Sequence, residues 1–92
     1  MVQYTWTDRK ARANRAKHAL PFELASRLFD GVVIEGIDDR FDYGETRIIA
    51  VGMVDGRVLV CVYADHGDER RVISLRKATR NETQSYFETL LG

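Results

Sequence analysis

The sequence predicts an α+β domain in which helices flank a run of antiparallel strands. Three observations lead to this fold class. The spacing of apolar residues is helical up to Phe29 and becomes extended from Val32 onward. Asp55 and Gly56 separate two β-rich segments, which is a strong hairpin signal. A capping-box pattern at Thr79 then predicts a final helix that runs to the end of the chain.

The first third of the chain predicts two helices, preceded by an optional short strand at residues 2–6. Thr7 is a suitable N-cap for the first helix, because its hydroxyl can accept a hydrogen bond from the first turn. One arc of this helix is polar and is expected to present its side chains to solvent; it carries Lys10, Asn14, Lys17 and His18. Pro21 ends this helix and can open the second. The second helix ends at Gly31 and carries a core-facing stripe of Phe22, Leu24, Ala25, Leu28 and Phe29.

Four strands in a meander are expected next. Their segments are residues 32–37, 46–53, 57–64 and 69–76. The third segment is apolar on both faces, which predicts a central strand, and a second hairpin is expected at residues 65–68. In a regular last strand, Arg71 and Arg76 would point to opposite faces unless a bulge or the strand end redirects Arg71. The predicted fold is therefore a four-stranded antiparallel sheet, covered by helices on one face and free for function on the other.

Length and composition limit the class of protein. A chain of 92 residues supports one core, so residues 1–92 are expected to form a single domain. No apolar segment is long enough to span a membrane and the N-terminus is polar, which predicts a cytoplasmic protein without a membrane partner. The single cysteine, Cys61, and the two histidines, His18 and His66, provide neither a disulfide pair nor metal-ligand spacing. No cofactor or metal is therefore expected.

Charge is balanced overall but segregated along the chain. Residues 1–20 carry five basic side chains and one acid, residues 21–69 carry four and eleven, and residues 70–92 carry five and two. If the terminal segments adjoin in the fold, one surface is basic and the opposite one acidic. Such a protein would suit an anionic ligand on one side and a basic partner on the other. Equally, the acidic middle could consist of polar loops only.

No motif by itself identifies a reaction. The chain lacks a glycine-rich phosphate loop, a paired-acid motif, a serine elbow and a metal triad. Its Arg, Lys, His, Glu and Tyr side chains suit cleavage of RNA without a metal. That reaction needs a base near the 2′-hydroxyl, cationic donors for the charge on the phosphorane, and an acid near the leaving 5′-oxygen. Because any small charged domain contains these residue types, they are a weak signal alone.

Three groups of residues, spread over nearly the whole chain, carry a family resemblance. They are Trp6, Asp8, Lys10, Asn14, Lys17, His18 and the segment 22–25; then Glu45, Arg47 and Gly52; and then the segment 71–79 with Glu82 and Tyr86. In these groups the chain resembles the BrnT toxin family, the ribonuclease half of a bacterial type II toxin–antitoxin pair. Two residues depart from the family pattern: Leu75 replaces a small alanine, and Pro21 stands where a serine or threonine is common.

The resemblance implies a fold and a function. The fold would be RelE-like, and the activity would be metal-independent RNA cleavage that stops translation as part of a stress response. The partner would be a BrnA-like ribbon-helix-helix antitoxin, which neutralises the toxin and represses the operon. The toxin would therefore meet operator DNA only through the antitoxin.

The candidate site residues are of two kinds. The catalytic candidates are Arg76 and Arg47 as donors to the phosphate, Arg71 as a further donor, Glu45 as a base, and His18 as an acid or base. The RNA-binding candidates are Lys10, Lys17, Arg70, Lys77 and Tyr63. Surface ion pairs are an equal alternative for each arginine and for Glu45, and a core position is an alternative for Tyr63. His66 is expected to be a solvent-exposed turn residue.

Two other functions compete with RNA cleavage. A non-catalytic binding module that assists operon repression would explain the zero net charge and the absence of a motif. A degenerate toxin that retains antitoxin binding is suggested only by Leu75. A basic antitoxin helix would find complementary charge on the acidic middle, at Glu35, Asp38, Asp39 and Asp42, although a clamp over the basic cleft is equally allowed.

Overall fold

A computed structural model describes all 92 residues as an α+β fold, which confirms the predicted class. The strands are β1 (Gln3–Thr5), β2 (Ile34–Ile37), β3 (Arg47–Val54), β4 (Arg57–His66) and β5 (Glu69–Lys77). The helices are α1 (Asp8–His18), α2 (Ala25–Leu28) and α3 (Arg80–Leu91), and a 3-10 turn, Phe22–Leu24, precedes α2. None of the helices combines the length and the apolar character that a bilayer crossing requires.

The sheet differs from the prediction in size and direction. Its strand order is β1-β5-β4-β3-β2, so it has five strands. Four are antiparallel neighbours, but β1 pairs with the first residues of β5 in parallel. The predicted four-stranded antiparallel sheet was therefore wrong in detail. Three residues of β1 have too little pattern of their own to specify a partner that lies at the other end of the chain.

The core lies on one face of the sheet, here called the core face. Its centre is formed by Leu59, Cys61 and Tyr63 of β4, with α2 and the 3-10 turn packed above them. The predicted apolar stripe of the second helix is confirmed, because Phe22, Ala25 and Leu28 are fully buried there. That helix ends at Leu28, earlier than the predicted stop at Gly31.

The opposite face, here called the outer face, is only partly covered. It carries Val60, Val62 and Ala64 of β4. Helix α3 crosses one end of it, because Glu82 pairs with Arg76 on β5 and the Tyr86 hydroxyl donates to the carbonyl of Val32, beside β2. On the rest of the outer face Ile49, Val62 and Ser74 are partly exposed.

A β-bulge in β5 decides which side chains reach the outer face. Val62 lies opposite Ser74, but the next residue, Tyr63, lies opposite Val72, so Ile73 is an extra residue in β5. Consequently Arg71, Ser74 and Arg76 all share the face of Ala64, Val62 and Val60. The alternation of a regular strand, which would put Arg71 and Arg76 on opposite faces, is broken here by a bulge, the exception under which Arg71 was expected to share the face of Arg76.

Asn14 is buried rather than presented to solvent, with 6% of its surface exposed. Its amide nitrogen donates to the carbonyls of Leu75 (2.9 Å) and Leu20 (3.1 Å), and its amide oxygen accepts from the N–H of Leu75 (3.0 Å). The amide thus pairs with β5 as a neighbouring strand would, at a point that β1 does not reach. The predicted polar arc of α1 was wrong at this residue, because helical spacing cannot show that a polar group has buried partners.

The local signals at chain reversals are confirmed. The Thr7 hydroxyl accepts from the N–H of Lys10, and Thr79 forms a complete capping box with Glu82. Asp55 and Gly56 have φ values of 53° and 78°, as a two-residue hairpin turn with two left-handed residues requires. These features depend only on neighbouring residues, and the sequence therefore contains what is needed to predict them.

Gly52 allows α2 to approach the sheet closely. A Cβ at this position would lie 3.0 Å from both Cγ and Cδ2 of Leu28. We expect Gly52→Ala to lower the free energy of unfolding by about 1–3 kcal/mol, because the added methyl group overpacks the core. Urea denaturation measures this. Gly36→Ala is the matched control, since nothing lies within 4 Å of its added Cβ. Equal stability of both variants would contradict this account of Gly52.

Candidate nucleic-acid site on the outer face

Two arginines flank the central strand at the open end of the outer face. Arg47 in β3 and Arg71 in β5 are both opposite Ala64 of β4. With neighbouring strands about 4.8 Å apart, their backbones are about 10 Å from each other. The Ala64 side chain is small and fully buried, so it leaves room for both guanidinium groups to approach one point above the sheet.

Glu45 lies at that point. Its two carboxylate oxygens each accept a hydrogen bond from Nη2 of Arg71 (2.7 Å), and Oε2 accepts another from Nε of Arg47 (3.2 Å). Arg47 in turn stacks on the ring of Tyr43, 4.0 Å from its centroid. Desolvation raises the pKa of Glu45, but the hydrogen bonds and charges of the two arginines outweigh it, so this pKa lies below its ordinary value. Glu45 is thus an ionised carboxylate held by two cations.

His66 completes this cluster of four residues, here called the arginine cluster: Glu45, Arg47, His66 and Arg71. Its Nε2 lies 3.6 Å from Oε1 of Glu45, and 42% of the side chain is exposed. From the sequence, His66 is expected at a solvent-exposed turn and is not a site candidate, because β4 is predicted to end at residue 64. The strand continues to His66, and alternation from Ala64 then puts this side chain on the outer face. The alternation of side chains along β4 is therefore the sequence signal that could have identified His66.

Arg76 shares the outer face but not the cluster. Its guanidinium makes two hydrogen bonds to Glu82 of α3, at 2.8 and 2.9 Å. The hydrogen bonds from Arg76 lower the pKa of Glu82 to about 2, although desolvation opposes this. Ser74, Val62 and Ile49 form the strip of sheet that separates this pair from the arginine cluster. The outer face therefore has a basic group on each side of an open strip.

Two predicted RNA-binding residues lie on the core face instead. Tyr63 is only 4% exposed, and its hydroxyl donates to the carboxylate of Glu35. Arg70 packs over the ring of Phe29, 4.2 Å from its centroid, and donates to the hydroxyl of Tyr4. Both side chains support the aromatic end of the core, so neither is available at the arginine cluster.

The remaining candidates are lysines and one histidine at the margins of the fold. Lys10 and Lys17 are exposed on α1, and Lys77 is exposed at the end of β5. His18, in the last turn of α1, is partly buried, and no hydrogen bond or ion pair connects it to the arginine cluster. The structure thus brings together Glu45, Arg47 and Arg71, and it leaves the selected lysines and His18 apart from them.

The arrangement of side chains gives little support to a metal site or to a reactive thiol. No group of three or more His, Cys, Asp or Glu side chains is arranged to hold a metal ion. Cys61 is buried in the core, where desolvation raises its pKa to about 12, so its thiol does not ionise near neutral pH. The arginine cluster is therefore the one place where cationic donors, a carboxylate and an imidazole meet at the surface.

Comparison with known proteins places the chain in a family. The sequence model of the ribonuclease toxin BrnT, of a type II toxin–antitoxin system, matches residues 6–82. The chain belongs to the BrnT family. No curated protein matches the chain. BrnT is described as a ribonuclease toxin, which agrees with the predicted family and implies an RNA target and an antitoxin partner. The matched residues include the whole arginine cluster, and the resemblance read from the sequence is confirmed.

The stability that Glu45 gives this BrnT chain is expected to depend on pH. Because its pKa is lowered on folding, its carboxylate contributes stability above its ordinary pKa of 4.5, and this contribution is lost as pH falls through the lowered value. Glu45→Gln should therefore be less stable than the wild type at pH 7, and the difference should shrink below pH 4.5. Urea denaturation over this range, beside Glu23→Gln at an exposed carboxylate, measures it. A difference that does not change with pH would contradict the ion-pair account.

Proposed function

We propose that this BrnT chain is an endoribonuclease toxin that cleaves RNA without a metal, by attack of the 2′-hydroxyl on the adjacent phosphate. The observation that supports this most directly is the convergence of Arg47 and Arg71, from two different strands, on one carboxylate with His66 beside it. Two guanidinium groups aimed at one anion are suited to a phosphate and to the extra charge of its transition state.

Phosphate binding would exchange one anion for another. In the free protein Glu45 occupies the place between the two guanidinium groups. A phosphate that takes over the hydrogen bonds of Arg71 and Arg47 leaves Glu45 with fewer cationic partners. The pKa of Glu45 then rises towards its ordinary value, because the hydrogen bonds that lower it are lost. Substrate binding would in this way make Glu45 a stronger base.

The proposed reaction moves one proton at each end of the phosphate. Glu45 accepts the proton of the 2′-hydroxyl, and the 2′-oxygen forms a bond to phosphorus. The bond from phosphorus to the 5′-oxygen breaks, and His66 donates a proton to that oxygen. The products are a 2′,3′-cyclic phosphate and a 5′-hydroxyl, with the developing charge stabilised by Arg47 and Arg71. Arg76, on the other side of the strip, would bind a neighbouring phosphate of the same RNA strand in exchange for Glu82.

The wider biology proposed for the chain follows from its family. We propose a RelE-like fold within a single domain, action in the cytoplasm that halts translation under stress, and neutralisation by a BrnA-like ribbon-helix-helix antitoxin. Contact with operator DNA would run through that antitoxin only. Lys10, Lys17 and Lys77, exposed on the surface, are proposed to add long-range attraction for RNA. His18 has no role in this scheme.

Cleavage of end-labelled RNA by antitoxin-free protein in EDTA tests the proposal. The expected products carry a 2′,3′-cyclic phosphate and a 5′-hydroxyl, and a 2′-O-methyl version of the same RNA should stay intact. Cleavage of the methylated RNA would rule out attack by the 2′-hydroxyl. Salt-sensitive binding without any product, both with and without added ribosomes, would instead indicate a non-catalytic module or a degenerate toxin.

A further inference from the structure

The outer edge of β2 is a free strand edge. This strand is last in the sheet and pairs only with β3. The N–H of Asp38 donates to the carbonyl of Arg47 in β3 (2.8 Å). Because backbone groups alternate along an antiparallel strand, the N–H and C=O groups of Ile37 and Glu35 point away from β3. Two residues at this edge therefore carry unpaired backbone donors and acceptors.

The side chains at this edge are apolar at the centre and acidic around it. Ile37 is 69% exposed. A groove of about 250 Å³ lies beside it, with Ile48 and Tyr63 in its wall and the carboxylates of Glu35 and Asp65 at its sides. Neither carboxylate takes part in an ion pair: Glu35 accepts from the Tyr63 hydroxyl, and Asp65 accepts from the N–H of Gly67. The groove is thus suited to an apolar side chain that is accompanied by a basic one.

Charge distinguishes this edge from the other edge of the sheet. Residues 30–45, which contain β2 and the loop after it, carry six carboxylates and one arginine. Asp38 pairs with that arginine and Glu45 belongs to the arginine cluster, which leaves four carboxylates without an ion pair. The opposite edge is the three-residue β1, next to the basic helix α1. A basic segment would be attracted to β2 and repelled from β1. A second copy of this chain would bring one acidic edge against another, which disfavours a dimer through β2.

We propose that the outer edge of β2 binds an extended, basic segment of the antitoxin, which adds a sixth strand to the sheet. Backbone hydrogen bonds to Glu35 and Ile37 would supply pairing, and alternate side chains of the segment would enter the groove. An added strand would lie about 10 Å from β3, which carries Arg47. The chain that continues from it is therefore within reach of the arginine cluster. This inference rests on the antitoxin partner proposed above.

Hydrogen exchange on the full toxin with its cognate antitoxin tests this edge directly. We expect the amides of Glu35 and Ile37 to exchange at least about tenfold more slowly in the complex than in the free toxin. The amide of Gly36, which faces β3, serves as the internal reference. Unchanged exchange at Glu35 and Ile37 with saturating antitoxin would overturn the proposal. Slow exchange at high toxin concentration without antitoxin would overturn it too, in favour of a second copy of the chain.

A pair of substitutions at one residue adds a second measurement. Ile37→Pro removes the outward N–H and blocks strand addition, whereas proline is tolerated on an edge strand. Ile37→Thr is the matched control, because it loses the apolar side chain but keeps that N–H. We expect Ile37→Pro to weaken antitoxin binding about tenfold more than Ile37→Thr does, with both variants folded by circular dichroism. Equal binding by both would contradict strand addition. The exchange and binding measurements need no RNA cleavage, so they remain decisive if the ribonuclease proposal fails.

Discussion

Replacing Arg71 with alanine is expected to lower the rate of RNA cleavage about 10²–10³-fold while the protein stays folded. Arg71 is the residue that makes both of the shortest hydrogen bonds to Glu45. Its side chain is more exposed than that of Arg47. It is therefore the group that an incoming phosphate meets, and the loss should appear mainly in the rate constant of the chemical step under single-turnover conditions.

Two further variants make this expectation specific. Arg71→Lys keeps the charge but lacks the planar guanidinium that can donate two parallel hydrogen bonds to a phosphate. We therefore expect it to recover only part of the lost rate. Arg57→Ala removes an exposed arginine at the other end of β4, opposite Val54, and should cleave like the wild type. An Arg71→Ala protein with full activity would exclude the arginine cluster as the catalytic site. Loss of activity in Arg76→Ala alone would then move the site to the α3 end of the outer face.

Asn14→Ala is expected to cause the largest loss of stability, about 3–5 kcal/mol. Asn14 satisfies three buried backbone groups, on Leu20 and Leu75. An unsatisfied buried polar group costs about 1–3 kcal/mol, and alanine leaves all three without a partner. This is a large part of the 5–15 kcal/mol that is usual for a domain of this kind. Urea or thermal unfolding of the variant measures the effect.

Asn14→Asp separates the hydrogen bonds from the shape of the side chain. Aspartate has nearly the same size and still accepts from the N–H of Leu75, but it cannot donate to the two carbonyls. We expect this variant to be destabilised as well. The loss should be greater at pH 7 than at acid pH, because the buried carboxylate is charged at pH 7. Alanine at the neighbouring exposed Lys10 is the control. A change of less than about 1 kcal/mol in Asn14→Ala would show that water or a backbone shift replaces the side chain.

The sequence predicts well what depends on adjacent residues. The caps at Thr7 and Thr79, the turn at residues 55–56 and the apolar stripe of the predicted second helix follow from local preferences, and all of them are confirmed. The pairing of β1 with β5 joins parts of the chain that are far apart in sequence. The bulge at Ile73 interrupts the regular alternation of β5. No local pattern encodes them, which explains the errors in strand number and in the faces assigned to β5.

The residues of the candidate site also fall into those that the sequence identifies and those that only the tertiary structure shows. Glu45, Arg47 and Arg71 were selected because the residue types and the family resemblance indicated them, and the fold brings all three into contact. His66 was missed because the end of β4 was placed two residues too early. Tyr63 and Arg70 were selected for their chemistry, but both pack against the ring of Phe29, and this contact is a property of tertiary packing.

The extra residue at Ile73 also protects the chain against misalignment. The two halves of β5 are out of phase: Arg70 and Val72 share the core face before the bulge, and Leu75 and Lys77 share it after the bulge. If β5 slid by one position along β4, Val72 and Leu75 would turn outward, and Arg71 and Arg76 would turn towards the core. If the bulge were lost, one half of β5 would still present its side chains to the wrong faces of the sheet. A single arrangement therefore satisfies both halves, and the interruption selects one strand alignment during folding.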